Sequence, residues 1–128
     1  MTREEAVRRV SDKVSGMRFQ WGVMDCCQVA REMYRTLHGV DPAPELTYQT
    51  EDEARAIIEA HGGLSGLMTH LLGPSIPTDE ALTGDILRSD LPHVGEIIGL
   101  KVPCGTLVPI SRGLFKADLR YSLEAWRI

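Results

Sequence analysis

No run of lysine or arginine stands out in this 128-residue sequence, and acidic side chains outnumber basic ones by 18 to 14, for a formal net charge of -4 at pH 7. The electrostatic footprint that neutralises phosphates is missing, so nucleic acid is not an expected partner. Long apolar runs are missing as well. Stretches such as Glu96-Ile97-Ile98-Gly99-Leu100 fall far short of the roughly 20 residues a spanning helix needs, which excludes membrane insertion as an expectation. The start, Met1-Thr2-Arg3-Glu4-Glu5-Ala6, lacks the apolar centre of a secretory signal, and synthesis in the cytoplasm without a signal peptide is the expectation. Cysteine is sparse: there are three, an odd number, and Cys26 and Cys27 are adjacent. A disulfide framework does not hold such a chain together, and reduced thiols are expected.

What is present suits one ordinary domain. With 43% hydrophobic and 25% charged residues, the chain has the balance of a single globular unit over residues 1–128, and division in two would leave neither half an interior. No repeat, low-complexity segment or linker interrupts it.

The first half reads as helical. Thr2 followed by Glu5 forms a capping box, and Ala6, Val7, Val10, Val14 and Met17 follow at helical spacing, which predicts a helix from about residue 3 to 15. A second helix of about residues 26 to 38 is expected from Cys26, Val29, Ala30, Met33, Tyr34 and Leu37 on one face, with Gly39 as its left-handed stop. Val40 to Pro44 must be extended because of its prolines. Thr50 and Glu53 repeat the capping pattern before Ala54, Ile57 and Ile58, and Leu64 to Leu72 reads as a further short helix before Gly73-Pro74.

Beyond residue 82 short apolar runs alternate with glycine and proline: Asp85 to Leu87, His93 to Val102, Thr106 to Ile110, Leu114 to Ala117 and Leu123 to Ile128. These suit strands of a small antiparallel sheet or half-barrel. Helices first and strands second give an α+β class, a helical N-terminal half packed on a small antiparallel sheet.

Chemistry concentrates at the start of the second helix. A thiol there meets unpaired amides and the positive end of the helix dipole, which favour its thiolate, and Cys26 holds that position directly after Asp25. Such a nucleophile needs an imidazole to move its proton, and His93, expected to begin a strand, is the candidate. The other histidines, His38, His61 and His70, fall on or near helix ends, where charge or solvent explains them.

Taken in order, Phe19-Gln20-Trp21-Gly22, Asp25-Cys26, Gly84-Asp85-Ile86 and His93-Val94-Gly95 resemble the motifs of the NlpC-type, papain-like cysteine peptidases. The likeness spans roughly residues 17 to 100 and looks closest to a compact branch associated with bacteriophage tail tips. It implies a papain-like fold and a cysteine peptidase or amidase acting on peptidoglycan stem peptides. Cys26 and His93 would be catalytic, Phe19, Trp21, Gly22, Asp25 and Asp85 would support the cleft, and neither a cofactor nor a metal would be required. It also implies phage tail hub or baseplate proteins as partners and the virion tail as location.

The sequence departs from that pattern in three places. Cys27-Gln28 follow the nucleophile where a small residue and glycine are usual, and Glu96 replaces an apolar residue. The third polar position falls between Leu100 and Ile110, where Lys101, Cys104 and Thr106 stand and Thr106 is the candidate. The alternative is therefore a catalytically weak or inactive structural component of the tail tip with the same fold. A thiolate-rich metal set of Cys26, Cys27, Cys104 and His93 lacks knuckle spacing and is disfavoured.

Overall fold

The structure is a computed structural model and describes residues 1–111 and 113–128. Four helices precede five strands: α1 (Arg3–Val14), α2 (Cys26–His38), α3 (Glu51–Ala60), α4 (Gly63–Leu72), then β1 (Ile86–Leu91), β2 (Gly95–Val102), β3 (Gly105–Pro109), β4 (Leu114–Ala117) and β5 (Ser122–Trp126). Short 3₁₀ turns lie at Thr78–Glu80 and Leu119–Tyr121. The α+β class and the helix-then-strand order read from the sequence both hold.

Local chemistry sets the helix starts. The Thr2 hydroxyl accepts from the Glu5 amide at 3.1 Å, and the Thr50 hydroxyl accepts from the Glu53 amide at 3.1 Å. The second half of the Thr50 box differs from the expectation, because the Glu53 carboxylate accepts from the Thr50 hydroxyl at 3.2 Å. Gly39 ends α2 with φ 76, a left-handed stop that costs glycine nothing.

The sheet is antiparallel in the order β4-β3-β2-β1-β5. Ile86 lies opposite Leu100 on one side and Trp126 on the other, which places three fully buried side chains on one face. Val10 of α1 and Val29 and Met33 of α2 close on that face, and each such burial contributes about 1.5–3 kcal/mol. A second, smaller cluster of Leu91, Ile97, Val108 and Ala117 forms from residues of the other parity, and Cys26 packs against both clusters.

Four of the five expected strands begin or end elsewhere, and β4 keeps its expected bounds. His93 was the expected first residue of a strand, but β2 starts at Gly95, because Leu91 pairs with Gly95 and leaves Pro92, His93 and Val94 as a hairpin turn. The Val94 amide donates to the Leu91 carbonyl at 3.2 Å, and His93 has φ 64. Proline at the second position and positive φ at the third are the marks of a type II turn.

The chain ends meet at Asp85. This fully buried carboxylate accepts from Arg3 at 2.8 Å, Arg127 at 2.8 Å, the Leu82 amide at 2.8 Å and the Ile128 amide at 3.0 Å. It holds the turn into β1 and also fastens α1 to the residues after β5, with Arg3 donating to the Ile128 carbonyl as well. Among the described residues no helix is long and apolar enough to cross a membrane.

Candidate active site

Cys26 is the first residue of α2, and Asp25 before it is the N-cap. One Asp25 oxygen accepts from the Gln28 amide at 3.0 Å and the other from the Gly22 amide at 2.8 Å. Both also lie within hydrogen-bond reach of the Tyr48 hydroxyl. A carboxylate that is 1% exposed thus has donors from its own helix, from the preceding turn and from a loop far along the chain. Gly22 is required here: it has φ 80, and a Cβ on it would lie 2.0 Å from the Tyr48 carbonyl oxygen.

The surroundings of the Cys26 thiol favour its thiolate form. Cys26 lies below the ordinary thiol range, first because the Cys27 thiol donates to it, and further because the Ile98 and Cys27 amides do; burial and the Asp25 charge oppose them. Cys27 moves the other way, well above that range, because its proton is held by the Cys26 sulfur and burial disfavours a second anion. Of the two thiols, Cys26 is therefore the one whose surroundings favour the anion. Ile98 lies in β2 beyond the last β2–β3 pair, Leu100–Leu107.

Cys26 and Cys27 line a cavity of about 300 Å³. Ala30 continues its α2 wall, Pro42, Ala43, Leu46 and Tyr48 form a second wall, and aliphatic side chains of α3 and α4 close it. Arg31 holds the second wall in place by donating to both Asp41 oxygens at 3.2 and 2.7 Å and to the carbonyls of Leu46 at 2.8 Å and Ala43 at 3.0 Å. Trp21 lines the cavity; Phe19 does not, but meets Trp21 edge-on with ring centroids 4.9 Å apart.

The structure brings Cys26, Asp25, Gly22 and Trp21 together at this place, with Phe19 reaching it through Trp21, and leaves His93, Thr106 and Asp85 outside it. His93 is exposed on the β1–β2 turn and does not line the cavity, although its neighbour Val94 and then Glu96 do. Thr106 is fully buried in β3 with its hydroxyl unpaired among the described residues, and it too is absent from the cavity wall. Asp85 supports the fold at the chain ends. Cys104 is exposed in the β2–β3 turn, and among the described residues no three His, Cys, Asp or Glu side chains converge as a metal site requires. Tyr48 and Arg31 are the site residues that sequence reasoning missed. Both act through partners distant in the chain, and neither sits in a local pattern that would mark it.

The family described as "Domain of unknown function (DUF6950)" matches residues 1–128. No curated protein matches the sequence. Among solved structures, the chain is similar to the crystal structure of the NlpC/p60 domain of the peptidoglycan hydrolase SagA, with TM-score 0.64 and 15% identity over 100% of each chain. That likeness gives the fold: the α+β, papain-like fold that the NlpC/p60 domain has.

Proposed function

We propose, for a chain that belongs to the DUF6950 family over its residues 1–128, a cysteine-dependent peptidase or amidase in which Cys26 attacks the substrate carbonyl. The observation that carries this reading is the Cys26 sulfur itself: first in α2, held toward the thiolate by the Cys27 thiol and the Ile98 amide, and open to a cavity. In the reaction the carbon–sulfur bond forms as the carbonyl becomes an oxyanion. The Cys26 amide, which a helix start leaves without an intrahelical acceptor, is the donor this reading assigns to that charge. The oxyanion then collapses and the carbon–nitrogen bond breaks as His93, the residue before Val94 of the cavity wall, protonates the leaving amine; water hydrolyses the thioester to the carboxylic acid and returns the thiol.

His93 carries a second mark of function. A non-glycine residue at φ 64 is disfavoured by sterics, and such conformations cluster at sites where a side chain must be presented. Because the fold is shared with a domain of a peptidoglycan hydrolase, peptidoglycan stem peptides are the substrate class of this reading. The tail of a phage, with hub or baseplate proteins as partners, is the setting that the sequence resemblance adds. The test is release of peptides from purified peptidoglycan by the wild-type chain, Cys26→Ala and His93→Ala, followed by mass spectrometry. Undiminished release by Cys26→Ala would sink the assignment.

One observation favours a second reading, a catalytically weak or inactive structural component of a tail tip. His93 is exposed and outside the cavity wall, and Thr106, the candidate to orient it, is buried elsewhere. In that case the wild-type chain releases nothing, and it co-purifies with hub proteins equally well with or without Cys26.

A further inference from the structure

We propose that the cavity beside Cys26 is an acyl-side subsite for an aliphatic group, one larger than methyl, attached to the carbonyl under attack. The inference rests on Cys26 as nucleophile but not on the stem-peptide substrate, whose acyl-side residues carry a methyl or a charged side chain; it assigns the site a different, neutral aliphatic class of acyl donor.

The walls argue for it. Ile57 and Ile58 of α3 and Leu64, Leu71 and Leu72 of α4 all line the cavity and are only half-buried, although α3 and α4 pack on each other. Helices that sealed their apolar stripes against the core would bury them; here the stripes turn toward an open volume of about 300 Å³, the lower end of the range for small-molecule sites, about 300–1,000 Å³. The charges at its edge are already committed. Arg31 is paired with Asp41, Arg55 with Glu51 at 2.8 Å, and Glu96 with Arg88 at 2.6 Å. A charged acyl group would therefore shed its water without gaining a partner, whereas an aliphatic one loses only unfavourable hydration. Cys26 lines the same cavity as Ile57, Leu64 and Leu71, so an aliphatic group held by those side chains shares one enclosed space with the nucleophile.

The probes are p-nitrophenyl acetate, butyrate and octanoate with the full chain. The thiolate adds to the ester carbonyl, the carbon–sulfur bond forms, the carbon–oxygen bond breaks, and p-nitrophenolate leaves with the electron pair. Water then hydrolyses the thioester to the carboxylic acid and returns the thiol. The acylation rate should rise by about fourfold per methylene until the cavity is full, as expected for burying each methylene. Mass spectrometry should find the acyl group on Cys26. Ile57→Trp and, separately, Leu71→Trp fill the cavity and should collapse the octanoate-to-acetate ratio. As a check independent of those variants, octanamide should slow alkylation of wild-type Cys26 while acetamide does not.

A flat chain-length profile with Cys26 still acylated overturns the subsite and leaves the nucleophile standing. If no ester labels Cys26, and Cys26→Ala releases p-nitrophenolate as fast as wild type, the nucleophile reading falls and takes the subsite with it.

Discussion

The Tyr48 hydroxyl lies 2.8 Å from one oxygen of the Asp25 carboxylate and 2.9 Å from the other, so a loop residue donates its proton into the cap of the helix that carries the cysteine. Burial and the neighbouring negative groups push the Tyr48 hydroxyl up, which keeps it a donor at every ordinary pH. The contact couples the wall of the cavity to the seat of the nucleophile.

Tyr48→Phe keeps the ring and removes the donor. Asp25 retains its two amide donors, so the loss should be about 1–2 kcal/mol in urea unfolding, with the helical circular-dichroism signal unchanged. Unaltered stability would show that the hydroxyl does not hold the loop.

Cys27 should set the reactivity of its neighbour. Its thiol is the largest influence lowering Cys26, so Cys27→Ala should move the midpoint of Cys26 alkylation to higher pH. Cys27→Ser, whose hydroxyl still donates, should move it less. Alkylation rates between about pH 5 and 10 read both values. Identical midpoints in all three proteins would remove the thiol pair from the account.

His93→Gly separates strain from chemistry. Left-handed backbone costs a residue with a Cβ roughly 1–2 kcal/mol, and glycine is free of that cost while gaining entropy in the unfolded chain. The variant should unfold no earlier than wild type and should lose peptide release. Retained release would exclude His93 from the reaction.

Asp41 gives the protein an acid-sensitive wall. The Arg31 guanidinium holds the Asp41 carboxyl below its usual range, opposed by partial burial and helped by the Ala43 amide. A depressed carboxylate contributes stability above its unfolded value of about 3.9, and that contribution is lost as pH falls through the lower folded value. Asp41→Asn should therefore be less stable than wild type at neutral pH and should show a shallower loss below about pH 4 in thermal melts. Parallel acid limbs in the two proteins would contradict the pairing.

The helical half was legible because its signals are local. The Thr2 and Thr50 caps, the stripe from Cys26 to Leu37 and the Gly39 stop each act within a turn or two, and α2 has the bounds that this spacing implied. The start of α2 at Cys26 was therefore readable, and with it the exposure of one thiol to the helix dipole. The third polar residue was not legible, since Thr106 is placed by the β2–β3 register, opposite Lys101 and Ala117.

His93 shows why the sheet was harder. Its apolar flank suggested a strand start, but pairing decides strand limits, and pairing is a property of two segments. Setting Ile86 opposite Leu100 buries both, and that register carries Leu91 to Gly95 and leaves three residues to turn the corner.

From its own order of residues the chain determines the helices, their caps and the placing of a cysteine at a helix start, because those depend on neighbours within a few positions. Tertiary structure alone decides that Tyr48 reaches Asp25, that Ile98 lends its amide to sulfur, that His93 stands on a turn, and that a cavity opens between α2, α3 and α4. Each of these joins groups distant in the chain, whose meeting is set by the packing of the whole core.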